Sequence, residues 1–219
     1  MVTAYFLRHG PTRENRDQIV QGQQSGILLV PETERYLAAV TPLLREGKIN
    51  VIFSSDLRRA WQTSNILQDF LGMVDLEELR SPLLRERAMG FYEGRAWAEV
   101  PMAFWGQRQT GNNDFRAFGG ENDDDVRSRV KYFLDSLVVK YVNKRVACVT
   151  HAGWLRQFLV LAGGEGVEIS SWRGRTEIYR VRLGAQGAID EIQVLDIKAD
   201  VELDDEYEME KELADRSGK

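Results

Sequence analysis

An α/β sheet with helices packed on both faces is the fold class the sequence predicts. Three apolar, strand-like runs carry that prediction: Val2–Leu7, Ile49–Phe53 and Arg145–Thr150. Each gives way to a polar or glycine-bearing break and then to apolar residues at helical spacing. Strands alternating with helices build such a sheet. Each run also ends beside a cationic or imidazole side chain: Arg8 and His9, Arg58, and His151. Ligands of open α/β sheets bind beyond the carboxyl ends of the strands, so these residues are expected at one edge.

In chain order, the first strand stops at Arg8-His9-Gly10-Pro11, because Gly10 permits a turn and Pro11 cannot extend a ladder. Asn15 to Gly26 is polar, with Gln18, Gln21, Gln23 and Gln24, and reads as a long loop. Pro31 opens a helix whose apolar face is Tyr36, Leu37, Val40, Leu43 and Leu44. Pro42 is expected to kink it and Gly47 to close it. After the second strand, Ser55 is read as the N-cap of a helix through Leu71. This places Arg58 and Arg59 in a first turn, where the helix dipole disfavours cations. A bound anion would compensate them. Arg58 is taken as the residue that meets it and Arg59 as a side chain that reaches solvent.

Val74 to Leu79 reads as a short strand, and Leu83 to Gly94 as an irregular loop holding Glu86 between Arg85 and Arg87. Ala96 to Gln109 is weakly helical, and Gly111 to Gly120 is a polar break. Asn122 caps a long helix with Asp123, Asp124 and Asp125 in its first turn. The three acids read as dipole complement and not as a metal site. His151 stands where the third long strand meets a helix N-terminus, a natural anion site. Two last strands fit Thr176–Leu183 and Ile189–Ile197.

Composition bounds the function. Residues 199–219 hold nine acidic against three basic side chains, so the body is near neutral and the tail acidic. With a net charge of −5 and no basic block, a nucleic-acid partner is not expected. No apolar run is long enough to span a membrane. The N-terminus shows no secretory pattern, and one cysteine suits a reducing compartment, so a cytoplasmic location is expected. With no repeat or linker, residues 1–198 read as one catalytic domain followed by the acidic tail.

Two arginines and the chain's two histidines at strand ends describe a phosphoryl pocket. Arginine forks match phosphoryl oxygens, fixed donors stabilise transition-state charge, and an imidazole can act as nucleophile. Other chemistries fail on spacing. A cysteine phosphatase needs arginine six positions after its nucleophile, and Trp154 stands there after Cys148. Two distant histidines make a poor zinc site. No Walker-type glycine loop occurs.

The chain resembles the histidine phosphatase superfamily, in the branch of the cofactor-dependent phosphoglycerate mutases and related phosphatases. The matching segments are Arg8–Asn15, Ser55–Thr63, Leu84-Arg85-Glu86 with Gly90 and Glu93-Gly94, Gly119-Gly120-Glu121, and Val149–Gly153. The resemblance implies a three-layer α/β/α sandwich with a mostly parallel central sheet, no metal and no cofactor. It implies His9 as the nucleophile, with Arg8, Arg58 and His151 holding the phosphoryl group and Asn15 adding a donor. Glu86 would protonate the leaving alcohol and then activate water. Gln21 and Gly22 match a substrate-contacting loop. Ala152 stands where the family has glycine, and its N–H survives for phosphate binding unless positive φ is required there. The segment Leu29 to Tyr36 also departs from the family pattern.

The expected activity is a phosphatase acting on a small phosphorylated metabolite, with a homodimer left open. A phosphoglycerate mutase is the alternative, disfavoured because Arg95 to Gly111 offers only Arg95 and Arg108 as basic residues. A catalytically silent phosphoester-binding protein is the alternative from another class.

Overall fold

The computed structural model describes residues 1–73, 78–101, 113–163 and 177–196. The first four residues of the Val74–Leu79 strand, most of the Ala96–Gln109 segment, Arg173 to Thr176 and the acidic tail lie outside the described residues.

Six strands form one sheet: β1 Val2–Arg8, β2 Val51–Ser55, β3 Glu78–Ser81, β4 Arg145–Thr150, β5 Glu177–Leu183 and β6 Ile189–Asp196. Their spatial order is β3-β2-β4-β1-β5-β6. β3, β2, β4 and β1 run parallel, while β5 lies antiparallel to β1 and β6 antiparallel to β5. The helices are α1 Arg13–Arg16, α2 Thr33–Glu46, α3 Arg58–Leu71, α4 Asp123–Lys140 and α5 Ala152–Leu161.

Period-two alternation divides the core into two layers. Val2, Ala4 and Phe6 of β1 face one side with Val146, Cys148, Tyr179 and Val181, against α4 and α5. Tyr5 and Leu7 face the other side with Ile52, Ala147 and Val149, against α2 and α3. Trp154 anchors the first layer, stacked on Phe158 with ring centroids 5.8 Å apart and tilted against Phe6 at 5.2 Å. Each such fully buried side chain contributes about 1.5–3 kcal/mol.

Two local readings change. Asn15 is not the start of a loop: Thr12 caps α1, its side chain accepting from the Asn15 amide while the Asn15 side chain returns to the Thr12 amide. α2 runs unbroken through Pro42. It ends at Gly47, whose φ is ordinary; a Cβ there would meet the Tyr5 ring at 2.8 Å, so close packing is what demands glycine. α3 begins at Arg58 with Leu57 as N-cap, two residues later than a Ser55 cap implies. Ser55 Oγ accepts from the Leu57 amide and so shapes the turn before the helix.

The topology positions the site. α2 and α3 cover one face while the chain moves from β1 out to β3; α4 then brings it back over the other face to β4. The carboxyl ends of β2, β4 and β1 therefore lie side by side at the centre of the sheet.

Candidate active site

Arg8 pairs in register with Thr150, so the residues that follow, His9 and His151, emerge together. The His9 amide extends the ladder by one bond to the Thr150 carbonyl, 2.9 Å. The two imidazoles sit with ring centroids 5.0 Å apart.

The His9 ring is oriented by its own turn. Nδ1 lies 2.6 Å from the Gly10 carbonyl oxygen. A carbonyl only accepts, so Nδ1 carries the proton and Nε2 presents its lone pair. Arg59 Nε donates to that Nε2 at 3.3 Å. The turn is fixed by Thr63 Oγ1, which receives the Gly10 amide at 2.9 Å and donates to the Arg59 carbonyl at 2.7 Å. One threonine on α3 thus links the His9 loop to the backbone that carries Arg59.

This geometry corrects the arginine assignment. Arg58 is exposed, and Arg59, 1% exposed, is the residue against His9. The reason is helix phase. Arg59, Thr63 and Leu67 follow at i, i+4 and i+8 on the buried face of α3, and Arg58 falls off that face. Arg59 also donates to the carbonyls of Gly22 at 2.8 Å and Gln24 at 3.2 Å. It therefore holds the loop over the site as well as facing the imidazole. The signal that separates the two arginines was present in the sequence, in the Arg-x-x-x-Thr-x-x-x-Leu spacing.

Arg8 is buried at 4% exposure on the same edge. Asn15 is buried, with its Oδ1 accepting from the Thr12 amide and hydroxyl. Gln21 is buried and its amide donates to Thr12 Oγ1 at 3.0 Å. Gly22 has a φ of +46°, and a Cβ there would collide with the Glu93 carboxylate. Glu93 Oε1 accepts the amides of Gln23 and Met89, both at 2.9 Å, tying this loop to the segment after Glu86. Ala152 opens α5 and is not among the positive-φ residues, so the alanine costs no backbone strain.

Glu86 is half-buried. Its neighbours' guanidinium groups turn to other carboxylates: Arg85 forks onto Asp56 at 2.7 and 2.6 Å, and Arg87 pairs with buried Asp123. Asp123 therefore does more than complement the α4 dipole. The Glu86 carboxylate instead accepts the Arg87 amide at 2.7 Å and the Gly153 amide, at the start of α5, at 3.2 Å. A Cβ on Gly153 would lie 2.3 Å from Glu86 Oε1, so glycine at 153 is what lets the carboxylate approach.

His151 is fully buried, and neither ring nitrogen has a hydrogen-bond partner. Burial above all, then the charge of Arg59, with His9, Arg8 and Arg129 adding, holds its pKa well below the ordinary 6.5. The imidazole is neutral in the native protein at neutral pH. An anion among these cations would oppose the Coulomb part of that shift and favour the protonated, doubly donating ring. The sign for stability follows. Below about 6.5 the unfolded chain binds a proton that the native chain refuses, so stability falls with pH from there. The thermal midpoint is expected to fall more between pH 7.5 and about 5.5 in the native protein than in His151→Gln. Melting curves at both pH values check this.

An imidazole nitrogen bearing its lone pair, two buried arginines, a second imidazole and a carboxylate on a helix N-terminus form a site suited to phosphoryl chemistry. The comparisons with known proteins agree with that class. The family model for the histidine phosphatase superfamily (branch 1) matches residues 4–188, and the chain belongs to that superfamily. Fructose-2,6-bisphosphatase TIGAR B of Danio rerio is 32% identical over 159 residues, which are 72% of this chain and 62% of that protein. A metal-independent phosphoserine phosphatase of Arabidopsis thaliana is 30% identical over 155 residues, 69% of this chain and 64% of its own length. The chain thus spans under two thirds of these curated relatives. Among solved structures, Bacillus stearothermophilus YhfR superposes with a TM-score of 0.74 at 21% identity, covering 92% of this chain and 98% of its own. A mycobacterial glucosyl-3-phosphoglycerate phosphatase gives a TM-score of 0.71 at 24% identity, over 90% and 98% of the two chains. Both share the fold.

Proposed function

We propose that the protein is a metal-independent phosphatase that hydrolyses a small phosphorylated metabolite through a phosphohistidine intermediate. The observation that carries this reading is the His9 ring: Nδ1 is committed to the Gly10 carbonyl and Nε2 faces the buried arginine. In the proposed sequence, His9 Nε2 attacks phosphorus and the P–O bond to the alcohol breaks. Glu86 gives its proton to the departing oxygen. Water then attacks the phosphohistidine, losing a proton to Glu86, and His9 is regenerated with release of inorganic phosphate. Arg8, Arg59 and His151 hold the phosphoryl oxygens, with Arg59 replacing the Arg58 of the sequence reading. Asn15, Gln21, Gly22 and Ala152 are carried in this proposal as further contacts to the phosphoryl group and the substrate.

The relatives support the substrate class: the TIGAR proteins are named for fructose 2,6-bisphosphate, and the Arabidopsis relative for phosphoserine. The segment that distinguishes a mutase is Arg95 to Gly111, of which 102–111 lie outside the described residues.

Turnover of p-nitrophenyl phosphate, followed by a panel of phosphorylated metabolites, tests the reading. Activity is expected to survive EDTA unchanged; loss that added metal restores would sink the metal-free mechanism. The panel includes 3-phosphoglycerate with and without 2,3-bisphosphoglycerate. Isomerisation faster than phosphate release would replace phosphatase by mutase, and binding without turnover would leave a phosphoester-binding protein.

A further inference from the structure

The segment that carries Glu86 belongs to no helix or sheet past its short turn at Pro82–Leu84, so its carbonyls need partners from elsewhere. Side chains supply them. Thr150 Oγ1 donates to the Leu84 carbonyl at 2.8 Å, and Trp154 Nε1 to that of Leu83 at 2.8 Å. Three of the four carbonyls from Leu83 to Glu86 also converge on one residue of α4. Arg129 Nη1 donates to the carbonyls of Leu83 and Arg85, both at 3.1 Å, and Nη2 to that of Glu86 at 3.3 Å. Its other face forks onto Glu121, Nε to Oε1 at 2.8 Å and Nη2 to Oε2 at 2.9 Å. All five guanidinium N–H groups are thereby used.

Glu121 completes the clamp. Its Oε2 also accepts the Ala88 amide at 2.8 Å and Gln23 Nε2 at 3.2 Å, while that same Gln23 nitrogen donates to the Glu86 carbonyl at 3.0 Å. The backbone is gripped on both sides of Glu86, at carbonyl 86 and at amide 88. The carboxylate itself is seated on the Gly153 amide. Two helices thus fix one residue, α4 through its backbone and α5 through its side chain.

We propose that Arg129, backed by Glu121, is a positioning residue that sets the height of Glu86 over the phosphoryl site. The proposal rests on the reading of Glu86 as the acid that protonates the leaving group. Arginine is required because the job takes a planar fork with five donors. Lysine offers three donors from one point and leaves acceptors unmet.

The test compares leaving groups. Native protein, Glu86→Gln, Arg129→Met, Arg129→Lys and the Glu86→Gln/Arg129→Met double variant are assayed with p-nitrophenyl phosphate and with a simple alkyl phosphate. The alkyl oxygen needs a proton to depart, and the nitrophenolate does not. Misplacing a catalytic group by an ångström can cost about 100-fold, so Arg129→Met is expected to lose about that much kcat/KM on the alkyl phosphate. On p-nitrophenyl phosphate kcat/KM, which reports only the steps up to release of the alcohol, should change little, and in the Glu86→Gln background the substitution should add nothing further. Arg129→Lys should fall between native and Arg129→Met, and carries the test if the methionine variant does not fold. Equal losses on both substrates, or the same loss with Glu86 already removed, would show a purely structural role and overturn the proposal. If Glu86→Gln alone leaves alkyl phosphate turnover unchanged, the acid assignment fails, and Arg129's positioning role fails with it.

Discussion

His9→Ala is expected to abolish turnover, lowering kcat by about 10⁴-fold or more, because the variant removes the atom that forms the covalent intermediate. The fold should tolerate it. The His9 amide keeps its bond to Thr150, and the Gly10 amide keeps its bond to Thr63, since both are backbone groups. The melting temperature should therefore stay near native while activity is lost. An imidazole buffer offers a sharper version of the same assay. A free imidazole that enters the space left by the side chain can restore part of the turnover only if nucleophilicity is what was lost. Residual activity within a factor of about ten of native would place the nucleophile elsewhere.

The second large effect separates two adjacent arginines. Arg59→Ala is expected to lower kcat by about 10²–10³-fold, the usual cost of removing one fixed donor at the charge of a transition state. Arg58→Ala is expected to stay within about twofold of native, as exposed substitutions do. Arg59 is fully enclosed, and its guanidinium faces His9 while holding the Gly22 and Gln24 carbonyls. Its loss should also raise KM, because the loop from Gln21 to Gln24 loses its anchor. Steady-state kinetics of the two variants on one substrate decides the matter, and a reversed order would return the role to Arg58.

That pair shows where the sequence was legible and where it was not. The strands were readable because a strand buried on both faces reads as a continuous apolar run: Ala4 and Phe6 fill one layer and Tyr5 and Leu7 the other. Both histidines were readable because each follows directly on such a strand. The arginine was misread because Arg58 and Arg59 share the first turn of α3 and only helix phase separates them. Ser55 has the chemistry of an N-cap, but its hydroxyl serves the turn before the helix; that moves the helix start and leaves the phase of Arg58 against Arg59 unchanged. The buried stripe of Arg59, Thr63 and Leu67 selects Arg59. The short α1 was missed because its capping box closes with asparagine at the position where glutamate or glutamine is usual.

The support of Glu86 was not legible by any local rule. Its carboxylate lies between two arginines in sequence, which suggests an ion pair. In the structure Asp56 and Asp123 take those arginines, and an amide from α5 takes the carboxylate. Arg129 reads as one more cation on an amphipathic helix. Its role exists only because an irregular segment leaves four carbonyls in search of donors, and three of them meet one guanidinium. Such pairings are tertiary and leave no spacing to find.

The central claim is that His9 Nε2 is the attacking atom. Rapid acid-free quenching of the protein with a turning-over phosphomonoester, followed by digestion and mass spectrometry of the peptides, tests it most directly. The expected result is a phosphoryl group on the peptide containing His9, stable in base and lost in acid, and absent from the His9→Ala protein. A phosphoryl group found instead on Cys148, on a serine or on a carboxylate would contradict the account.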